Sequence, residues 1–548
     1  MEQTDAVPAG STAATNQPPP LIDHDAFRAD LALPAAVARY SPAADAHLGE
    51  LGELAGAAAW LARGTEANRD LPRLRTHDRY GNRVDEVEFG PAWHDLLGAA
   101  VSHGLHAAPW RTAEPGAHAA RAAGFVLWTG VEAGHGCPVS MTYAAVPALR
   151  TDPDLAAAWE PGLTAPRYDP GLRPPAMKSG LLAGMGMTEK QGGSDVRSTT
   201  TVAVPVDGGY LLTGHKWFCS APMSDVFLVL AQAPAGLTCF VLPRVLPDGS
   251  RNGVALIRLK DKLGNRSNAS AEIELTGAFA SRLGEEGRGV ATIARMVSAT
   301  RLDCVLGSTG LQRRALHEAL WHARHRAAFG QTLVDQPLMA SVLGDLVVEW
   351  ESSLAVAMRL AATFDSTEAA EAGLRRLALP AAKYTICKRS PFAIGEALEC
   401  LGGNGYVEDS GMPRLYREAP VNSVWEGSGS VTALDLVRAL TREPDSLAAY
   451  LTEIGQADGM DPRLDAAVTD LLTSLADTRG LESRARRLAE QVTAVLAGSL
   501  LVRHGDPAVA ETYCATRLAG DRATTFGTLP RGSDTGALLD RVPLGRDG

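Results

Sequence analysis

The stretch Gly184-Met185-Gly186-Met187-Thr188-Glu189-Lys190-Gln191-Gly192-Gly193-Ser194-Asp195-Val196 decides the reading of this chain. It gathers the hydroxyls of Thr188 and Ser194, two adjacent glycines and a run of backbone N–H groups into one polar turn between apolar stretches. Glycine lets a backbone approach closely, and Thr and Ser add donors, so the turn suits a bound group rich in acceptors. Composition alone would make it a surface loop.

Four further strings follow in order. Trp217-Phe218-Cys219-Ser220 ends a predicted strand after Gly214-His215-Lys216. Its plain reading is a hairpin edge with an aromatic cover. Arg326-Ala327-Ala328-Phe329-Gly330-Gln331 lies at a helix-to-turn junction and by itself is a capped helix with an exposed arginine. Leu401-Gly402-Gly403-Asn404-Gly405-Tyr406 follows a helix and reads as a glycine C-cap; it lacks the strand-turn-helix context of a dinucleotide fingerprint. Val424-Trp425-Glu426-Gly427-Ser428 puts a carboxylate on a glycine-flanked turn before an amphipathic helix, where it could simply cap that helix.

Together and in this order the strings resemble the acyl-CoA dehydrogenase family. The Lys190-Gln191-Gly192 variant of the first string is similar to its alkylation-response (AidB-like) branch. The resemblance covers 70–442 most strongly. It implies an FAD cofactor touched by Met187, Thr188, Gly193, Ser194, Trp217, Phe218, Ser220, Gly427 and Ser428. Arg326, Phe329, Gln331, Gly402, Gly403 and Gly405 would reach the FAD across a subunit interface, which implies a homotetramer built as a dimer of dimers. Guanidinium suits a diphosphate because its donors are fixed and always charged. Glu426 aligns with the catalytic base, removing the α-proton of an acyl-CoA thioester while the flavin accepts the β-hydrogen as hydride. An electron-transfer flavoprotein or oxygen would be the electron acceptor.

At 548 residues the chain is too long for one compact core. The fold expected is that of the family: an α+β multi-domain chain with a helical N-terminal domain, a middle β-barrel, a four-helix C-terminal domain and an added helical domain. The expected divisions are 1–20, a disordered or extended N-terminal segment; 21–180, helical; 181–285, the barrel; 286–442, helical; and 443–548, added helices with a loose tail after Thr528. Short β-branched segments bounded by turn residues between Thr199 and Leu275 indicate the barrel. Arg73 to Gly90 reads as a polar turn, and Ala369 to Gly402 as two helices meeting near Ser390.

No run of about 20 uncharged apolar residues is present, and acidic Glu2 and Asp5 stand where a secretory leader would be basic. Seven scattered cysteines, never in CxxC spacing, indicate neither a disulfide framework nor a metal site, and a cytoplasmic setting without membrane contact fits. A net charge of −11 speaks against coating nucleic acid by bulk electrostatics.

The AidB-like branch nevertheless implies an alternative, a flavoprotein binding double-stranded DNA in the alkylation response. Residues 443–548 hold 11 arginines and no lysine against 16 acidic residues, so a basic face must be local. Arg438, Arg442, Arg484, Arg486 and Arg487 are its candidates, and an ordinary solvated helix surface is the plain reading. A third reading is a flavoprotein scaffold without turnover, against which Glu426 argues.

Overall fold

The computed structural model of the chain describes residues 15–112 and 114–544. Residues 1–14 of the expected N-terminal segment lie outside this range, as do 113 and 545–548.

Helices build the first part of the molecule. Asp45–Gly56, Ala58–Arg69, Pro91–Ser102 and Ala117–Thr129 bury their apolar faces against the later helices in one continuous core, and Gly136–Leu149 packs mainly into a second cluster shared with the barrel. The expected polar turn at 73–90 is instead a hairpin. Strand β1 (Arg73–His77) pairs antiparallel with β2 (Arg83–Glu88) around Asp78–Gly81. Alternation across β2, with Asp85 and Val87 inward, was hidden because most of its residues are charged. Asp85 spends its carboxylate on Arg83 and on the backbone N–H of Leu256, which ties the hairpin to the barrel.

The middle region is a closed sheet of β3 (Ala183–Gly186), β4 (Val202–Val206), β5 (Gly209–Ser220), β6 (Val226–Ala233), β7 (Gly236–Pro243), β8 (Val254–Leu259) and β9 (Ser270–Leu283). The order β3-β6-β4-β5-β9-β7 closes through a β6–β7 pairing, and β8 lies beside β9. β6 is the most apolar strand, buried on nearly its whole length, because both of its faces meet protein.

The helix Gly289–His325 spans 37 residues, about 56 Å, and links the barrel to the far end of the molecule. It packs with Pro337–Ala362 and Ala369–Cys400, and Gly429–Arg442 lies against the latter. The expected break near Ser390 does not occur: Ala369–Cys400 runs through Pro380 and Pro391 as one helix. Leu379, Ala382, Ile386, Ile394 and Ala397 on both sides are buried in the same core, and that packing outweighs the lost backbone hydrogen bonds.

The helices Pro444–Gly455, Pro462–Ala476 and Leu481–His504 share this core, the last lying against Ala369–Cys400 and Gly429–Arg442. The tail is not loose. Thr535–Asp540 forms a helix, Arg541 pairs with buried Glu351, and Arg324 donates to the carbonyls of Leu539 and Val542. Gly- and Asp-rich composition concealed the apolar pair Leu538 and Leu539, which enters the core. Residues 15–20 form neither helix nor strand and are held: Trp321 Nε1 donates to Pro19, and Asn16 exchanges two hydrogen bonds with Ala327.

Candidate functional site

Glu426 sits on a turn that few residues adopt. Its φ of 56° lies in the left-handed region, and Gly427 follows at 98°. A non-glycine residue there costs on the order of 1–3 kcal/mol and persists only where neighbours over-determine it. Here they do. Arg301 Nε donates to the carbonyl of Glu426 at 3.0 Å, and Lys383 Nζ donates to the carbonyls of Trp425 (2.8 Å) and Gly427 (2.5 Å). Lys383 is fully buried in its helix.

The Glu426 carboxylate accepts a 2.6 Å hydrogen bond from Thr300 Oγ1 on Oε2. Burial pushes its pKa above the ordinary carboxylate range, while Thr300 and the charges of Lys383 and Arg301 pull the other way. Arg301 is itself held by Asp435, which also receives Arg376 and Arg438. Trp425 packs into an apolar cluster with Met185, Met187, Ile293 and Met296.

The Thr188 loop and the Trp217 strand meet directly. The backbone N–H of Trp217 donates to the carbonyl of Thr188 at 2.8 Å. Beneath them Glu189, 1% exposed, accepts from the backbone and side chain of both Thr200 and Thr201, and from Lys216 Nζ at 2.7 Å. Burial opposes its charge, and these bonds outweigh that, holding the carboxyl below its usual range. The lock fixes the loop carrying Thr188, Gly193 and Ser194. A Cβ on Gly193 would stand 2.4 Å from Thr188 Oγ1, so only glycine fits that approach.

Trp217 is partly exposed with Lys260 Nζ 3.3 Å from its ring centroid, and Phe218 is exposed beside the same ammonium. Ser220 Oγ lies 3.3 Å from Ser270 Oγ. The Cys137 thiol is hydrogen-bonded with Ser220 and feels the charges of Lys262 and Glu426, so the end of β5 and the Glu426 turn are electrostatically linked. Ser428 stands at the N-cap of Gly429–Arg442, no side chain caps that helix, and the Glu426 carboxylate binds Thr300 instead.

Arg326, Phe329, Gln331 and Gly402–Gly405 form a second group. Arg326 follows Thr300 by 26 residues on the line of one helix, about 39 Å away. These residues therefore cannot gather around the Glu426 turn of their own chain. Arg326 Nη1 donates to the Asn16 carbonyl, Phe329 (φ 54°) is 99% exposed, and open space surrounds Gly402 and Gly403. Asn404 lies 3.4 Å from Gln17, so the N-terminal segment touches both strings.

The arginine candidates separate. Arg484 donates to the carbonyls of Ser474, Asp477 and Arg479, closing the end of the preceding helix, and does not stand free on a basic face. Arg438 pairs with Asp435, and Arg486 donates to Ser430. Arg442 and Arg487 are exposed.

Sequence reasoning missed Thr300, Arg301, Lys383, Lys262 and Ser270. A signal existed for Lys383, a lone lysine among Ala381, Ala382 and Tyr384 in an apolar helix. None existed for Thr300, which serves the turn from 126 residues away.

Residues 16–170 match the model of the adaptive response protein AidB N-terminal domain. Residues 184–278 and 287–441 match those of the acyl-CoA dehydrogenase middle and C-terminal domains. The chain is 44% identical over 508 residues to AidB of Escherichia coli (strain K12), covering 92% of this chain and 94% of that protein. It is 32% identical over 499 residues to acyl-CoA dehydrogenase family member 11 of Caenorhabditis elegans, covering 82% and 80%. The crystal structure of Caenorhabditis elegans ACDH-11 in complex with C11-CoA superposes with a TM-score of 0.84 at 28% identity, covering 93% of each chain.

Proposed function

Because the chain belongs to the acyl-CoA dehydrogenase family, in its AidB branch, we propose that it removes hydrogen from the α- and β-carbons of an acyl-CoA, with Glu426 as the base. Membership makes it an acyl-CoA dehydrogenase-like flavoprotein, an oxidoreductase acting on acyl-CoA with FAD as cofactor. The residues present suit FAD. The hydroxyls of Thr188, Ser194 and Ser220 and a glycine-rich backbone supply donors, Trp217 supplies a partly exposed aromatic, and Gly402 and Gly403 leave bare backbone in open space. When bound, FAD supplies the two-electron acceptor for the hydrogen leaving the β-carbon.

The observation carrying this reading is the Glu426 turn. Thr300 occupies Oε2, which leaves Oε1 to take the α-proton. Burial raises the pKa above the ordinary carboxylate range, so the ionised group is a stronger base than an exposed glutamate. Arg301 and Lys383 hold the turn's carbonyls, fixing where the carboxylate points. Trp425, Met185 and Met187, partly buried against the cluster that holds Met296, give an acyl chain a dry surface, and the methionines make it adaptable. The C11-CoA bound to the Caenorhabditis elegans relative supports an acyl thioester as substrate.

The site residues of the second group serve a neighbouring subunit in a homotetramer. Exposure of Phe329 (99%), Tyr406 (84%) and Leu338 (77%) supports that assembly. Electrons leave to an electron-transfer flavoprotein or to oxygen. No observation favours the DNA-binding reading over this one, and of its candidate arginines Arg484 is taken up by backbone carbonyls.

Anaerobic titration of the yellow protein with a panel of acyl-CoAs tests the proposal. Bleaching of the flavin by at least one chain length is expected. Absence of bleaching across short, branched, medium and long chains would reject it.

A further inference from the structure

We propose that Lys262 is a positioning residue of the flavin site: its ammonium orients Ser270, and through it Ser220, so that the Ser220 hydroxyl is presented as a donor to the bound ring. The inference rests on the reading above that Ser220 lies at the flavin.

The geometry runs in one direction. Lys262 Nζ donates to Ser270 Oγ at 2.9 Å and to the Asn268 carbonyl at 2.6 Å. An ammonium has only protons to give, so Ser270 Oγ must accept from it. The Ser270 proton is then free for Ser220 Oγ, 3.3 Å away. With Ser220 Oγ accepting, its own proton is left to give, in this proposal to the bound ring past the neighbouring Cys137 thiol. Ser270 is 5% exposed, so water competes little for this chain of bonds.

A dedicated scaffold holds Lys262 there. It lies on the 261–268 loop, where Asn265 takes a left-handed φ of 55° and gives its N–H to both oxygens of Glu418. Ser267 and Asn68 donate to Glu132, which His135 also binds through its backbone N–H and ring. The groups facing Lys262 are Cys137, Glu418 and Glu132, with Arg414 behind Glu418. Burial works against the charge of Glu132, and the bonds from His135 outweigh it, holding that carboxyl at about 2. Burial and the facing Glu132 push Glu418 up to about 7. Burial brings Lys262 down to about 8, with Cys137 and the two carboxylates opposing. A cation and a donor near the ring stabilise its electron-rich reduced form.

The test compares Lys262→Met, Lys262→Arg, Ser270→Ala and Ser220→Ala in the FAD-loaded full chain, measuring FAD affinity and midpoint potential between pH 6.5 and 9. Lys262→Met and Ser270→Ala should retain FAD and shift the reduction equilibrium about tenfold toward oxidised flavin, about 30 mV for a two-electron couple. Lys262→Arg should recover most of that shift. The wild-type potential should fall more steeply than that of Lys262→Met as pH rises through about 8, where Lys262 loses its charge. A potential unmoved in Lys262→Met while Ser220→Ala lowers it would overturn the relay and leave the flavin placement standing. A shift in Lys262→Met absent from Ser270→Ala would overturn it too, since the charge would then act through space. A potential and spectrum unmoved in Ser220→Ala would reject the placement of Ser220 at the ring, and the relay with it.

Discussion

Two turns of this chain use the same backbone and end in opposite surroundings. Glu426-Gly427 has φ values of 56° and 98°, and Phe329-Gly330 has 54° and 82°. In both, a bulky residue takes the left-handed region and a glycine continues the turn. Around Glu426 the chain supplies Thr300, Arg301 and Lys383 from two long helices. Around Phe329 it supplies a two-rung ladder, one contact from Gln336 and the clasp of Asn16, and leaves the ring 99% exposed. Strain of this kind survives where neighbours enforce it. The first turn is complete within one chain, and the second is the one that the proposed assembly would complete from a partner.

The sharpest break of that comparison removes the chemistry and keeps the turn. Glu426→Gln preserves shape and deletes the base, so flavin reduction by an active acyl-CoA should fall by about 10²–10⁴-fold with FAD retained, as stopped-flow would record. Near-native rates would move the base elsewhere. In the parent protein the rate should decline as pH falls through the raised pKa of Glu426, because the protonated acid cannot accept the α-proton.

Loosening the support comes next. Lys383→Met strips the carbonyls of Trp425 and Gly427 of their donor, and a carboxylate misplaced by about 1 Å should cost about 10²-fold in the same assay. The FAD absorbance spectrum should stay unchanged. An unaltered rate would mean the turn holds itself.

The exposed turn should answer to different measurements. Phe329→Asp should weaken FAD binding about tenfold, a loss of about 1.4 kcal/mol, and shift native mass spectra toward smaller assemblies. Unchanged assembly and affinity would return Phe329 to the ordinary surface. The smallest effect separates the two glycines. Alanine costs about 1–2 kcal/mol in a left-handed backbone, and both positions share that term. At Gly427 the new Cβ also meets Val431, Arg301 and Thr432 at 3.3–3.4 Å, whereas nothing lies within 4 Å at Gly330. Denaturant unfolding should therefore show Gly427→Ala as the more destabilised of the pair.

The order of the motifs made the helical, barrel and helical layout legible, because each string carries its own turn chemistry. The barrel strands were readable from β-branched runs such as Val226–Ala233, where local pattern and burial agree. The hairpin at Arg73–Glu88 was not, since charge masked its alternation, and neither was the docked tail, since two leucines among glycines and aspartates give little period. Pro391 pointed to a break that packing on both sides overrode.

At the site, the sequence alone picked out the side chains proposed to carry chemistry: Glu426 between a tryptophan and a glycine, hydroxyls and glycines at 188–194, an aromatic at 217. Local composition suffices for that, because a turn needing glycine or a loop offering donors is written in adjacent residues. Only the tertiary structure decided what sets their strength and aim. Thr300 reaches Glu426 from 126 residues away, Glu189 meets Lys216 across 27, and Lys262 reaches Ser220 through Ser270 on another strand. Burial and hydrogen bonding tune a carboxylate or a hydroxyl through whatever stands within about 3 Å, and the fold alone chooses those neighbours.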